Sequence, residues 1–239
     1  SLATTLGAAN KTSPLDAFVV LLECGLGGCL TTVGAMEPAI LQHVLTICST
    51  QTDTVRREEC ANLPGDSVTV SVLAGLLADT TVRSIGDVPI AAIRDGMNEE
   101  LVLIGKALVL CEAGLVVYYL HDRSNTLKTV GVNDKLSLTE EMCHSKVLDL
   151  TDRRITSGEM PLVAGLLSVS TKIAKLNISK NKIGDEAAQV LFEALRGTKI
   201  ETLVISEIGL GPVGLSCLAS MISDMAGITE VNLSTNKSF

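Results

Sequence analysis

The stretch 175-KLNISKNKIGDEAAQVLFEAL-195 holds a strand, a tight turn and an amphipathic helix in a single unit. Leu176 and Ile178 alternate with Asn177 and Ser179, so one face is apolar at period two, as a half-buried strand requires. Asn181 ends the strand. Ile183 returns an apolar side chain to the same interior, and Gly184-Asp185 suits a turn and a helix cap. Ala187, Ala188, Leu191, Ala194 and Leu195 then share one helical face, with Glu186, Gln189 and Glu193 lying away from it. A unit of this kind cannot bury its apolar side alone; it needs neighbours of the same shape.

The chain supplies them. Leu148, Leu150, Ile155, Val163 and Leu167 repeat the apolar slots 28 residues upstream, and Leu203, Ile205, Leu210, Leu218 and Ile222 repeat them 27 downstream. A further copy opens at Val231-Asn232-Leu233 with Asn236. From Lys146 to the C-terminus this pattern resembles the helix-containing, ribonuclease-inhibitor-like class of leucine-rich repeats, whose unit runs roughly LxxLxLxxNxIgdeGaxxLaeaL. The resemblance implies an α/β solenoid, with parallel strands on a concave face and helices on a convex one. Members of the class serve as inhibitors, sensors and scaffolds, and one branch activates the Ran GTPase. Asn181 and Asn236 match the family's turn asparagine, whose amide satisfies backbone groups inside the stack, while Arg153 and Ile208 replace it in neighbouring units.

Upstream the pattern loosens. Leu101, Leu103, Leu108, Val116 and Leu120 fill the slots of one unit, with Lys106 at the turn position, and Leu127, Val130 and Val132 open another. Only 18 residues separate Val130 from Leu148, so that unit must have lost most of its helix or replaced it with a loop around Leu138 to His144. Earlier still, helices are expected after Ser13-Pro14, after Pro38, from Val68 to Leu77 behind an Asp66 or Ser67 cap, and briefly at Ile90 and Ile93. The polar stretch Thr50 to Asp66 reads as a connector with a short helix through Arg56 to Glu59. The expected division is a helical N-terminal segment, 1–65, and a repeat domain, 66–239, with degenerate repeats over 98–145 and clear ones from 146. Ala17 to Met36 carries one charge, Glu23, and is weighed as a membrane span; Gly25, Gly27, Gly28 and Pro38 favour two helices joined at the glycines. A start at Ser1 and an end just after a repeat's strand suggest an excerpt of a longer protein, whose uncovered last strand would favour self-association.

Composition fits a ladder-filled core. Aromatic residues are 2% of the chain, Trp is absent and mean hydropathy is +0.40. A net charge of −8 without a basic run argues against nucleic acid and anionic membranes as partners. The seven cysteines (24, 29, 48, 60, 111, 143 and 217) show neither CxxC nor zinc-ligand spacing, and they point to a reducing, cytoplasmic setting.

Three rows of strand side chains form the candidate binding surface, with another protein as the expected partner. They are Val147, Lys175, Thr202 and Glu230; Asp149, Asn177, Val204 and Asn232; and the hydroxyls Thr151, Ser179, Ser206 and Ser234. The hydroxyls alternatively just suit a crowded strand end. Other motifs carry less. Gly209-Leu210-Gly211-Pro212-Val213-Gly214 matches GxGxxG, the dinucleotide fingerprint, but Gly211-Pro212 occupies the repeat's ordinary turn, and proline removes an N–H from any phosphate cradle. Thr156 to Glu159 reads as a capping box, and adjacency sets Cys143 and His144 pointing apart. A GTPase-activating role would need a positioned Arg, for which only Arg153 and Arg154 stand near a suitable loop. No catalytic, cofactor or metal site is read from the chain, and no enzymatic activity is expected.

Overall fold

A carbonyl placed just before a strand accepts two N–H groups from the next unit, and this device recurs along the chain. Asp53 serves Arg83 and Ser84, Glu99 serves Lys128 and Thr129, Lys146 serves Ala174 and Lys175, Ala174 serves Glu201 and Thr202, and Glu201 serves Thr229 and Glu230. These bonds belong to a computed structural model that describes residues 36–48, 53–78, 80–225 and 227–236. The helix expected at Ser13, most of the stretch weighed as a membrane span, and Cys24 and Cys29 lie outside the described residues. Among the described residues, no helix is long and apolar enough to cross a membrane.

The described chain runs α1 (Pro38–Cys48), β1 (Thr54–Val55), α2 (Arg57–Cys60), α3 (Ser67–Leu77), β2 (Ser84–Ile85), α4 (Ile90–Arg94), β3 (Glu100–Val102) and α5 (Leu110–His121). It continues with β4 (Thr129–Gly131), β5 (Ser137–Thr139), α6 (Glu140–His144), β6 (Val147–Asp149), α7 (Met160–Val169), β7 (Lys175–Asn177), α8 (Gly184–Leu195), β8 (Thr202–Val204), α9 (Pro212–Met221), a 3-10 turn and β9 (Glu230–Asn232). Strands β6 to β9 pair in parallel in one sheet, with Leu148, Leu176, Leu203 and Val231 in register. The first three of these are buried and Val231 is half-buried. Each fully buried leucine contributes about 2 kcal/mol of transfer free energy, so the ladder is a main source of cohesion.

Helix α8 covers the inner side of this sheet with Ala187, Ala188, Leu191 and Leu195. Ala194, expected on that face, is half-buried, and Phe192 is fully buried instead. The reason is that α8 packs against α7 on one flank and α9 on the other, so it hides more than a single stripe. Asp66 caps α3, its Oδ1 accepting from the N–H groups of Val68 and Thr69 at 3.0 Å each.

Two departures from the sequence reading stand out. Strand β1 lies in the segment expected to be connector and helix, and it pairs in parallel with β2 thirty residues later, Thr54 against Ser84. A strand, a helix and a strand in that order, with the same carbonyl device, recur here too. The second departure concerns the shortened unit. Its helix is replaced by a hairpin: β5 runs antiparallel to β4, Val130 opposite Leu138, and the five-residue α6 follows. The sheet β3-β4-β5 is therefore separate from β6-β9. With no long helix in between, α5 packs directly on α7, and a Cβ added at Gly165 would stand 3.3 Å from the Ala113 carbonyl and the Gly114 Cα.

The N-terminal units are fastened to α5 by a buried carboxylate. Glu112 is fully buried; it accepts from the Val109 N–H at 2.9 Å and from Arg57 Nε at 3.3 Å. Arg57 also bonds Asp87 at 2.6 Å, and Asp87 pairs with Lys106 at 3.3 Å. Gly86, at φ +52°, passes so close to Glu112 that a Cβ would fall 1.7 Å from its Oε1. Only glycine fits both the backbone angle and the space.

Candidate partner-binding surface

The outward side chains of β6 to β9 stand in rows because the strands are parallel and in register. In the first row Val147, Lys175 and Glu230 are exposed and Thr202 is half-buried. In the second, Asp149 and Asn232 are exposed, while Asn177 and Val204 are half-buried. The hydroxyl row is more enclosed. Ser234 is exposed, Thr151 and Ser206 are half-buried, and Ser179 is only 5% exposed, which departs from the expectation of an open row.

Hydrogen bonds explain that enclosure. Asp149 Oδ1 accepts from the Thr151 N–H at 3.0 Å and its hydroxyl at 2.6 Å. Asn177 does the same for Ser179, at 3.2 and 2.8 Å, and Asn232 for Ser234, at 3.0 and 2.7 Å. Val204 has no side-chain oxygen, so the Ser206 hydroxyl turns to the neighbouring Ser179 Oγ at 3.0 Å. The second row thus orients the third, and both finish the strand ends. The two Thr151 bonds hold the Asp149 carboxyl below its ordinary range, helped by Arg153 and Lys175 and opposed by partial burial.

Beyond the strands the backbone turns sharply. Asp152, Lys180, Glu207 and Thr235, one per unit, adopt φ between 52° and 60°, and Arg154 joins them at 56°. The N–H groups of Asp152, Lys180 and Glu207 donate to the carbonyls of Ser179, Ser206 and Ser234 and so carry the ladder one step past the sheet. A left-handed conformation costs a non-glycine residue of order 1 kcal/mol.

Asn181 holds this turn from inside. Its Nδ2 donates to the carbonyls of Leu150, Ile178 and Ser179 at 2.8, 2.7 and 3.1 Å, and its Oδ1 accepts from the N–H groups of Arg153 and Ile155 at 3.0 Å each. Asn236 repeats the arrangement toward Ile208 and Leu210. Where Ile208 occupies the slot, its carbonyl takes the N–H groups of Ile183 and Gly184 instead. Asn133, in the β4–β5 turn, was not singled out from sequence; it donates to the carbonyls of Arg153 and Arg154 and joins the hairpin to the turn after β6.

The glycine motif is a turn. The Gly211 N–H donates to Asp185 Oδ1 at 2.7 Å, so an amide a phosphate would need is already taken by a carboxylate that would repel it. That also corrects the expected role of Asp185 as a cap for its own helix. At Gly214 a Cβ would meet Leu210 Cδ1 at 2.3 Å and Asp185 Oδ1 at 2.6 Å. Cys143 is buried with its thiol directed at the Thr139 carbonyl, whereas the His144 ring lies tilted by 42° against His121, centroids 4.6 Å apart. Arg153 donates to the Lys135 carbonyl, and Arg154 pairs with Asp134.

No family model matches the chain. Curated proteins do. Ribonuclease inhibitor from Sus scrofa is 29% identical over 101 residues, 41% of this chain, and that from Mus musculus is 29% identical over 116 residues, 47% of this chain. NACHT, LRR and PYD domains-containing protein 7 from Homo sapiens is 30% identical over 94 residues, 38% of this chain. The chain carries ribonuclease-inhibitor-like leucine-rich repeats. The matched part spans 22% and 25% of the two ribonuclease inhibitors and 10% of the human protein. Within these leucine-rich repeats, the αL turn row and the buried asparagine are the features that fix where the outward side chains stand.

Proposed function

We propose that the chain is part of a leucine-rich repeat solenoid that binds a partner protein on its strand face, through the rows led by Lys175, Thr202 and Glu230 and by Asp149, Asn177 and Asn232, and that it has no catalytic chemistry of its own. One observation carries this reading: four short strands in strict register turn outward side chains that are polar at every row position but Val147 and Val204, while Leu148, Leu176 and Leu203 behind them are buried. A pre-organised surface of this kind loses little conformational entropy on binding. The glycine turn, with its amide taken, and Arg153 and Arg154, held by neighbours, supply no comparable support for nucleotide binding or GTPase activation. Among the described residues Cys48, Cys60, Cys111, Cys143 and Cys217 are free; burial pushes the Cys60 thiol up to about 11 and the Cys143 thiol up to about 12, so these two are unionised and slow to react, as cysteines with a packing role would be.

The test is photo-crosslinking in cell extract, with benzoylphenylalanine placed singly at Thr202 or Asn232 on the strands and at Gln189 or Ser216 on the helices. A discrete adduct from the strand positions and none from the helix positions is expected. Adducts from the helices alone would overturn the reading.

A further inference from the structure

On a chain of net charge −8, one edge reverses the sign. The turns after β4, β6 and β7 gather Lys135, Arg153, Arg154, Lys180 and Lys182, the last four exposed. Four carboxylates stand near these five cations: Asp152 pairs with Lys135 at 3.0 Å, Asp134 pairs with Arg154, Asp149 accepts from Thr151, and Glu207 holds the equivalent turn position of the next unit. Arg153 gives its guanidinium to a neutral acceptor, the Lys135 carbonyl at 3.1 Å. Lys180 and Lys182 take part in no ion pair among the described residues. Positive charge is therefore left over at a place where the backbone is rigid.

The rigidity is independent of the charge. Asp152, Arg154 and Lys180 all sit in the left-handed region, where glycine would be least strained, and the N–H groups of Asp152 and Lys180 are tied to the next strand. The side chains of Asp152 and Lys180, at equivalent places in adjacent units, consequently project at the spacing of adjacent strands, about 4.8 Å. Proximity is also visible in the Asp152 carboxyl, which Lys135 first, and then Arg154 and Lys180, hold below its ordinary range.

We infer that this turn edge receives an acidic polypeptide segment of the partner, an inference that rests on the strand-face reading above. Discrete carboxylates on a peptide can settle between Arg153, Lys180 and Lys182 and avoid Asp149 and Asp152. A continuous phosphate backbone meets those aspartates at close spacing, and with aromatic residues at 2% of the chain no stacking platform holds single-stranded bases.

The experiment is fluorescence anisotropy with a labelled oligoglutamate peptide and, separately, an oligothymidylate of matched charge. Both are titrated with the parent chain and with the triple variant Arg153→Gln, Lys180→Asn, Lys182→Gln; asparagine is chosen at 180 because it tolerates the left-handed backbone. The peptide should bind the parent with an affinity that falls with salt and should weaken about tenfold in the variant, since exposed ion pairs each carry a modest factor. Absence of peptide binding, equal affinity in a variant that melts like the parent, or oligothymidylate binding as tightly as the peptide would each overturn the inference. Crosslinking from Thr202, repeated in the triple variant, separates the two readings. An adduct at full yield leaves the strand face standing and removes the acidic segment, whereas a peptide bound to a parent that gives no Thr202 adduct removes the strand face.

Discussion

Replacing Asn181 with alanine deletes an amide that is 1% exposed and makes five hydrogen bonds to the backbone of two adjacent units. The N–H groups of Arg153 and Ile155 and the carbonyls of Leu150 and Ile178 lose the partners described for them, and a buried polar group left unsatisfied costs about 1–3 kcal/mol. Water entering the vacated space recovers part of this, so the expected loss is about 3–5 kcal/mol, set against a total of about 5–15 kcal/mol for a typical domain. Asn236→Ala breaks matching bonds at a half-buried position that water reaches, and its expected loss is about 1–2 kcal/mol. Urea denaturation at constant m-value measures the difference, and hydrogen exchange locates it, with the Arg153 and Ile155 amides losing protection first. Equal losses at the two asparagines, or an Ile155 amide as protected as before, would refute the argument that Asn181 bears the turn.

Phe192→Ala, at a fully buried site between α7 and α9, should cost about 3–5 kcal/mol in the same assay; a loss below about 1 kcal/mol would mean that α8 does not bury its broad face. Gly165→Val should push α5 from α7 and lower the melting temperature, because the new side chain meets the Ala113 backbone at 3.3 Å, and Ser168→Val on the same helix serves as the tolerated control. Asp149 has a depressed folded-state pKa, so its contribution is complete above the unfolded value of about 3.9 and is lost as pH falls through the folded one. Asp149→Asn keeps an acceptor for Thr151, as Asn177 does for Ser179, but not the charge; it should melt somewhat below the parent at neutral pH, and the difference should close as the parent's carboxyl is protonated in acid.

The units from Leu148 onward are legible because strong apolar residues recur at both the strand and the helix period, and a shift of one position would expose the ladder. The missing helix is legible as well, in the short spacing from Val130 to Leu148. The hairpin that replaces it is not, since Ser137 to Thr139 is too short a strand to display alternation. For the same reason Thr54-Val55 gives no strand signal amid a polar connector. Phe192 sits off the stripe defined by Leu191 and Leu195, and only the presence of helices on both flanks explains its burial. At the surface, period two yields the outward rows, but the use of Asp149, Asn177 and Asn232 as local acceptors depends on how the chain bends after each strand. The basic edge draws Lys135, Arg154 and Lys180 from three units, and only the stacking brings them to one carboxylate.

The direct seating of α5 on α7 changes how the strand side is built. A stack of strand–helix units behaves like an arch: its helix blocks are about 8–10 Å wide and its strand blocks about 4.8 Å, so each full unit tilts the next toward the strands. Between β3 and β6 this masonry is altered, because β4 and β5 widen the strand course while the helix course advances by one block alone, and that block is thinned by the Gly114–Gly165 approach. The strand side is then two facets, β3-β4-β5 and β6-β9, set side by side like panes meeting at a mullion.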